Sequence, residues 1–421
     1  MFFNLDGKGI LKMINNNKYA HRVVITGIGI ASPLGNTCED LKHALINGKS
    51  AVNKITRFDA SDLDTKIAAE TSLPDDYIAD NPDHKSRFMY WAANNAFNMS
   101  CLNGDDINEF YKPNDRLISL GVGLDLFSTD RLVESYHLNR LEEKEPQFYY
   151  SSEAVLHNIA KKYHAIYPPH KLVSACAASA DAVGIAVDSI ITGKVKWALA
   201  GGMDSMINPM GFAAFSILGA MSKRNTSDAS RPFDKYRDGF IMGEGAGAII
   251  LERADIAKKR GAKILGEMIA FGNSLDAYGI SDPDPKGDGA ARAMEIALRY
   301  GRLKPNDIDY INAHGTSTPK NDIAETFAIK QVFKNKIPLV SSTKSMIGHC
   351  ISASGIIELI GVFLTQQESF LPPTINLETQ DEFCDLDYIS GKARKLKCEY
   401  FMSNSFAFGG QNTSLIGRIV N

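Results

Sequence analysis

The residues best placed to do chemistry lie in LVSACAASADAVGIA, residues 172–186. Leu172 and Val173 read as the end of a strand, and Ser174 and Ala175 as a tight turn. Ala177 to Ile190 reads as a helix, with Ala, Val and Ile at helical spacing. Cys176 therefore falls at a strand-to-helix junction. Backbone N–H groups and the dipole of a helix start favour negative charge on the side chain they face. A thiol there is expected to ionise below its ordinary value of about 8.5 and to act as a nucleophile. The small neighbours would let a substrate carbonyl approach the backbone. A second reading stands beside this one: free cysteine in a close-packed Ala-rich helix is often just a small core residue.

A nucleophilic thiol needs partners. His314, in NAHGTSTPKND, falls at the C-terminal end of a predicted strand. His349, in STKSMIGHCISASG, falls near a helix start, five residues after Lys344. Such strand ends and helix starts are where α/β folds gather reacting groups. Taken singly, each histidine is more often a satisfied structural residue, and Lys344 a surface charge. NSFAFGGQN sets Phe406 and Phe408 beside Gly409 and Gly410, and glycine permits close backbone approach and movement. A β-turn with two core aromatics would carry the same letters.

The elements that must position these groups alternate in type. Strands are expected in HRVVITGIGIA, RLISLGVGLDL, before Cys176, in KWALAGGMDSM, GAGAIILE, KILGEMIAFGNS, IDYINAHGT, PLVSSTK and YFMSNSFAFGGQNTSLIGRI. Helices are expected from about Cys38 to Gly48, over 85–101 and 151–164, after Cys176, and in ADIAKKRGA, GAARAMEIALRYG, NDIAETFAIKQVF and HCISASGIIELIGVFLTQQ. Alternation implies an α/β layered fold with parallel or mixed sheets. LVSACAASADAVGIA and LVSSTKSMIGHCISASGIIELI also read alike: strand, small-residue turn, apolar helix. Two helices apolar on nearly every face should both be buried. A duplicated unit, residues 21–262 and 263–421, packed about a pseudo-twofold would bury them.

Bulk properties narrow the classes. A chain of 421 residues, 44% apolar and 23% charged, is long enough for a large core and has an ordinary soluble profile. A net charge of −3 gives no global signal for nucleic acid or an anionic membrane. No apolar run approaches a membrane span. The six cysteines, at 38, 101, 176, 350, 384 and 398, form no CxxC pair, which points to a reduced, cytoplasmic setting. Residues 1–20 read as a leader or added arm without the apolar core of a signal peptide.

Taken together and in order, SACAAS, ASRPFDKYRDGFIMGEGAGAIILE, HGTSTP, SSTKSMIGH and NSFAFGG resemble the β-ketoacyl-acyl-carrier-protein synthases. The resemblance runs from about His21 to the C-terminus. His349 makes it the elongating Cys-His-His type and not the initiating Cys-His-Asn type. The resemblance implies a thiolase-like α/β fold of five layers, α-β-α-β-α, built from two similar halves and usually dimeric. It implies that Cys176 takes an acyl chain from an acyl carrier protein as a thioester. Malonyl carrier protein then loses CO2 and its enolate attacks, giving a 3-ketoacyl carrier protein. Substrates ride on the carrier's phosphopantetheine, and neither cofactor nor metal is implied. By resemblance, the N–H groups of Cys176 and Phe408 form an oxyanion hole, and His314 and His349 face the enolate. Lys344, paired with Glu325, sets the local field and supports His314. Phe408 gates the site on a Gly409–Gly410 hinge, and Phe240 and Phe406 line it. Lys85, Arg87, Lys223 and Arg224 become candidates for an acidic carrier's dock.

The chain also departs from the family. GVGLDLFSTD replaces a GSGIGG-like run, so Leu124, Asp125 and Phe127 are expected to reshape the acyl pocket. Gly279, in DAYGISDPDP, stands where histidine is common. These changes leave open fatty-acid or specialised polyketide and polyene synthesis. Three alternatives stand beside this reading. A thiolase needs a second reactive cysteine near the C-terminal glycine loop, where this chain has Phe408. A chain-length-determining partner in a heterodimer usually lacks the nucleophile. A zinc site of Cys176, His314, His349 and Cys350 has no supporting ligand spacing beyond the adjacent His-Cys pair.

Overall fold

The computed structural model describes residues 21–74, 77, 83–102, 106–125, 152–334 and 336–420. The expected leader, residues 1–20, and Phe127 lie outside them. The main strands are β1 (Val23–Ala31), β2 (Arg116–Val122), β3 (His170–Leu172), β4 (Trp197–Asp204), β5 (Gly245–Arg253), β6 (Gly266–Leu275), β7 (Tyr310–Asn312), β8 (Leu339–Ser341), β9 (Tyr400–Ala407) and β10 (Gln411–Arg418). The main helices are α1 (Cys38–Ile46), α2 (His84–Met99), α3 (Ser152–Lys162), α4 (Ala178–Ile191), α5 (Pro209–Ile217), α6 (Ala254–Lys259), α7 (Asp288–Gly301), α8 (Pro319–Phe333) and α9 (Ser354–Gln366).

Strand order exposes a duplication. The strands run β3-β2-β4-β5-β1 and continue β6-β10-β9-β7-β8. Exchanging β1 for β6, β2 for β7, β3 for β8, β4 for β9 and β5 for β10 reproduces the same order. The pairing directions match as well: the three outer strands of each half are parallel and the rest antiparallel. Among the described residues the halves pair edge to edge where Val23–Ile25 meets Gly266–Met268.

The layers follow from the faces of the strands. On β2, Ile118, Leu120 and Val122 face an outer core with α2 and α3, whereas Leu117 belongs to a central core. That central core holds α4 and α9 between the two halves of the sheet, and a third core packs α7 and α8 outside the second half. All of α9 is buried, as a helix apolar on nearly every face requires. The inward residues of β2 and β4 shrink toward one end: Leu117, Ser119, Gly121 and Ala198, Ala200, Gly202. This taper lets the start of α4 sit against the sheet. A Cβ on Gly121 would fall 2.2 Å from Ala178, and one on Gly202 would fall 2.5 Å from Ser179. The small residues around Cys176 thus act on packing first, and through packing they fix the nucleophile turn.

Several boundaries differ from expectation. The helix after Cys176 is preceded by a 3-10 turn at Ala175–Ala177, and the helix expected from His349 is preceded by one at Ile351–Ala353. Ala175 and Ile351 take nearly the same left-handed φ, +46° and +44°, so the duplication extends to the turns. β2 ends at Val122, short of the expected Leu126, and β6 starts at Gly266, three residues past Lys263. Helix α5, capped by Asn208 on the Gly211 N–H, was not expected; its sequence PMGFAAFSI has no polar face to give a helical period.

Candidate active site

The expected residues converge at the C-terminal ends of parallel strands. Cys176 follows β3, His314 follows β7, Lys344 follows β8 and Phe408 follows β9. Cys176 Sγ lies 3.2 Å from His349 Nε2, whose Nδ1 lies 2.9 Å from Ser354 Oγ. The His314 and His349 rings are perpendicular, with centroids 5.4 Å apart. His349 is fixed along its backbone too: its N–H donates to Ile241 O at 2.7 Å, and its carbonyl accepts from Gly243 N at 2.9 Å. The backbone N–H groups of Phe408 and Cys176 lie near enough to the sulfur to favour its charged form. Sequence reasoning placed Cys176, His314, His349 and Phe408 in one site, and the structure brings them together.

Electrostatics reverse one expectation. Burial pushes the Cys176 thiol up to about 12; Lys344 and the two N–H groups oppose this without overcoming it. The helix start was expected to lower it. The sulfur instead sits in an apolar cluster with Met206, Phe212, Phe215, Phe240, Met242 and Ile351, where a thiolate loses its hydration. Burial and the Lys344 charge hold both His314 and His349 well below the ordinary 6.5. The resting site is therefore neutral thiol and neutral imidazoles.

Lys344 does not pair with Glu325 as expected. Its Nζ donates to Glu358 Oε1 at 2.5 Å, with both side chains fully buried. Glu325 holds His314 by another route: its two oxygens accept the N–H groups of His314 and Gly315, each at 2.8 Å. Asn404 adds a donor at 3.3 Å, and burial raises the Glu325 carboxyl to about 7. Sequence reasoning missed Ser354 and Glu358. A signal for Glu358 was present, as the one charge in SGIIELIGVFLTQ: a lone acid in an all-apolar helix needs a buried cation.

A cavity of about 330 Å³ opens beside these groups. Cys176, His314, His349, Phe240, Phe406 and Phe408 line it, together with Phe215 of the unexpected α5. Phe240 lies edge-on to His349 at 5.2 Å and to Phe215 at 5.4 Å. Gly409 and Gly410 have φ of +84° and +75°, which favours glycine at both turn positions. Leu124 and Asp125, expected at the acyl pocket, do not line this cavity. Leu124 is exposed, and Asp125 accepts from Ser152 Oγ at 2.6 Å and from Lys85 Nζ at 2.5 Å. Lys85 is consequently buried and cannot serve as an exposed dock. Arg87 is half-buried and donates to Tyr77 O at 3.1 Å. Lys223 is exposed and pairs with Asp64 at 2.7 Å, and Arg224 pairs with Asp228 at 3.4 Å. Of the residues weighed for zinc, Cys176, His314 and His349 bring their ligand atoms within 4.8 Å of one another. Cys350 points elsewhere, its sulfur on the carbonyls of Glu244 and Ile347.

The sequence matches the family models described as "Beta-ketoacyl synthase, N-terminal domain" over residues 20–257 and "Beta-ketoacyl synthase, C-terminal domain" over 265–378. The chain belongs to the beta-ketoacyl synthase family. A beta-ketoacyl synthase of this kind is an acyltransferase that forms C–C bonds. Among its relatives is a 3-oxoacyl-[acyl-carrier-protein] synthase 2 from Synechocystis sp., 40% identical over 417 residues, covering 94% of this chain and 97% of that one. Another of the same name, from Coxiella burnetii, is 39% identical over 411 residues, covering 94% and 98%. The ishigamide ketosynthase/chain length factor matches with a TM-score of 0.86 and 32% identity, over 96% of this chain and 100% of that one. A type II polyketide synthase acyl-carrier protein in complex with its ketosynthase bound to the hexaketide matches at 0.87 and 28%, over 95% and 100%. The thiolase-like fold expected from the resemblance is thus borne out. Among the described residues no helix is long and apolar enough to cross a membrane.

Proposed function

We propose that the chain condenses malonyl carrier protein with an acyl group held as a thioester on Cys176, releasing CO2 and a 3-ketoacyl carrier protein. The observation that carries this reading is the 3.2 Å contact between Cys176 Sγ and His349 Nε2. In acylation, Sγ attacks the carbonyl of the incoming thioester and His349 takes the thiol proton. The Cys176 and Phe408 amides stabilise the oxyanion, and collapse expels the carrier thiolate, which leaves with the proton. In condensation, the bond to the malonyl carboxylate breaks and CO2 departs. The electron pair forms an enolate, whose carbon attacks the acyl thioester and expels Cys176 as thiolate, which regains a proton from water. Neutral His314 and His349 suit the enolate oxygen, because an uncharged imidazole N–H stabilises it by hydrogen bonding without handing over a full proton.

Both halves of the duplicated fold, 21–262 and 263–421, contribute: Cys176 from the first, His314, Lys344, His349 and Phe408 from the second. Lys344 and Glu325 act by positioning and field. We assign the chain to the cytoplasm and to a dimer, either with a second copy or as the catalytic member beside a chain-length partner. Lys223 and Arg224, with Arg87 at the margin, form the dock for an acidic carrier. Substrates arrive on phosphopantetheine, and every step above uses the chain's own groups. The test is intact-protein mass after mixing with a panel of acyl carrier proteins. A gain of one acyl group, absent in Cys176→Ala, is expected. No gain with any chain would overturn the reading in favour of a tunnel-shaping partner or of a synthase that needs a second subunit.

A further inference from the structure

Asp181 lies five residues beyond the nucleophile, in the first turn of α4, and its side chain is mostly buried. One carboxylate oxygen accepts from Ser174 Oγ at 2.5 Å. The other accepts from Thr413 Oγ1. Neither partner belongs to α4. Ser174 sits immediately before the left-handed Ala175 and so anchors the turn that aims the Cys176 N–H. Thr413 lies within β10, paired on one side with Ser405 of β9 and on the other with Asn273 of β6. It is therefore fixed by the sheet. Phe408, the source of the second N–H, follows directly on Ala407 at the end of β9 and is joined to β10 through Gly409 and Gly410, so it sits in the turn of the β9–β10 hairpin. One carboxylate thus ties the irregular turn bearing the first oxyanion donor to the β9–β10 hairpin whose turn carries the second.

We propose that Asp181 is a positioning residue that aligns the Cys176 and Phe408 backbone N–H groups as one oxyanion site, an inference that rests on the condensing function proposed above. Two backbone donors from separate elements stabilise an oxyanion only if their spacing is held before the substrate arrives. Asp181 touches neither substrate nor sulfur; it acts through Ser174 and Thr413.

The test separates alignment of the donors from reactivity of the sulfur. Acylation of Cys176 by a thioester passes through an oxyanion. Alkylation by iodoacetamide displaces iodide from a saturated carbon and forms none. Both rates are read by mass at Cys176 in wild type, Asp181→Asn and Asp181→Ala. Asp181→Ala is expected to slow acylation by about tenfold to a hundredfold, short of the ~100- to 1,000-fold loss on deleting an oxyanion donor outright. Its alkylation rate should stay within about twofold of wild type. Asp181→Asn, which keeps one acceptor oxygen, should fall between. If Asp181→Ala does not fold, Ser174→Ala and Thr413→Val remove the two hydroxyls singly and should show the same split at smaller size. Equal loss in both reactions, or no loss in either, overturns the assignment. Wild-type protein that alkylates but accepts no acyl group overturns the condensing function itself, a result distinct from acylation that is indifferent to Asp181.

Discussion

His349 and Cys176 face each other as an uncharged pair, imidazole Nε2 to sulfur at 3.2 Å. The apolar cluster around the sulfur makes that state the stable one, and the geometry still leaves His349 ready to take the proton. His349 can adopt either tautomer, because Ser354 Oγ at 2.9 Å from Nδ1 is able to donate or accept. On the function proposed above, such a site keeps its nucleophile quiet until a thioester occupies the oxyanion position.

The first prediction concerns pH. The thiol ionises near 12, far above neutral, and the imidazoles lie well below 6.5. The thiolate fraction therefore grows with each rise in pH across the working range. Alkylation of Cys176 by iodoacetamide should accelerate about tenfold per unit between about pH 7 and 9, with no plateau. A pre-formed thiolate–imidazolium pair would give a rate flat over that interval. Mass-resolved labelling at Cys176 distinguishes the two.

The Lys344–Glu358 pair supports the second prediction. Both groups are fully buried and in contact at 2.5 Å. Removing one partner leaves the other charged in an apolar core, a loss of about 3–5 kcal/mol. Lys344→Met should therefore lower the denaturant midpoint sharply. Lys344→Met with Glu358→Leu should recover most of that stability, since a hydrophobic replacement of a buried pair is often neutral or better. Condensing activity should not recover, because Lys344 also depresses both imidazoles. Activity returning with stability would reduce Lys344 to a structural residue.

The outline of the fold was readable because its signals are local. Strand and helix alternation, and the paired motifs around Cys176 and His349, announced the duplication that the strand order displays. Identities that act across the structure were not readable. Glu325 and Glu358 are both acids in helices of the second half, and only the packing of α9 between the halves decides which of them meets Lys344. Lys85 reads as a surface cation until Asp125, 40 positions away, closes over it. The direction of the Cys176 shift was misjudged for a related reason. The helix start is visible in one segment, whereas the desolvating cluster is assembled from Met206, Phe215, Phe240 and Ile351, which no spacing rule unites.

The third prediction follows from the turn that carries Phe408. Its ring is half-buried, 6.5 Å from the Phe215 ring across the cavity. The turn is held from outside by two backbone contacts, Gly409 N to Ile280 O at 2.7 Å and Asp276 N to Gly410 O at 2.8 Å. Truncation to alanine removes the ring and keeps the backbone N–H and these contacts. On the proposed reading, Phe408→Ala should therefore retain its fold and its oxyanion donor but lose the wall between the acyl and malonyl sides of Cys176. Condensation should fall by more than about tenfold, or about 1.4 kcal/mol in barrier, while release of CO2 from malonyl carrier protein changes by less than about threefold. The ratio of CO2 released to ketoacyl product formed measures the uncoupling. If the two rates fall in step, the ring supports the chemistry of both sides and does not divide them.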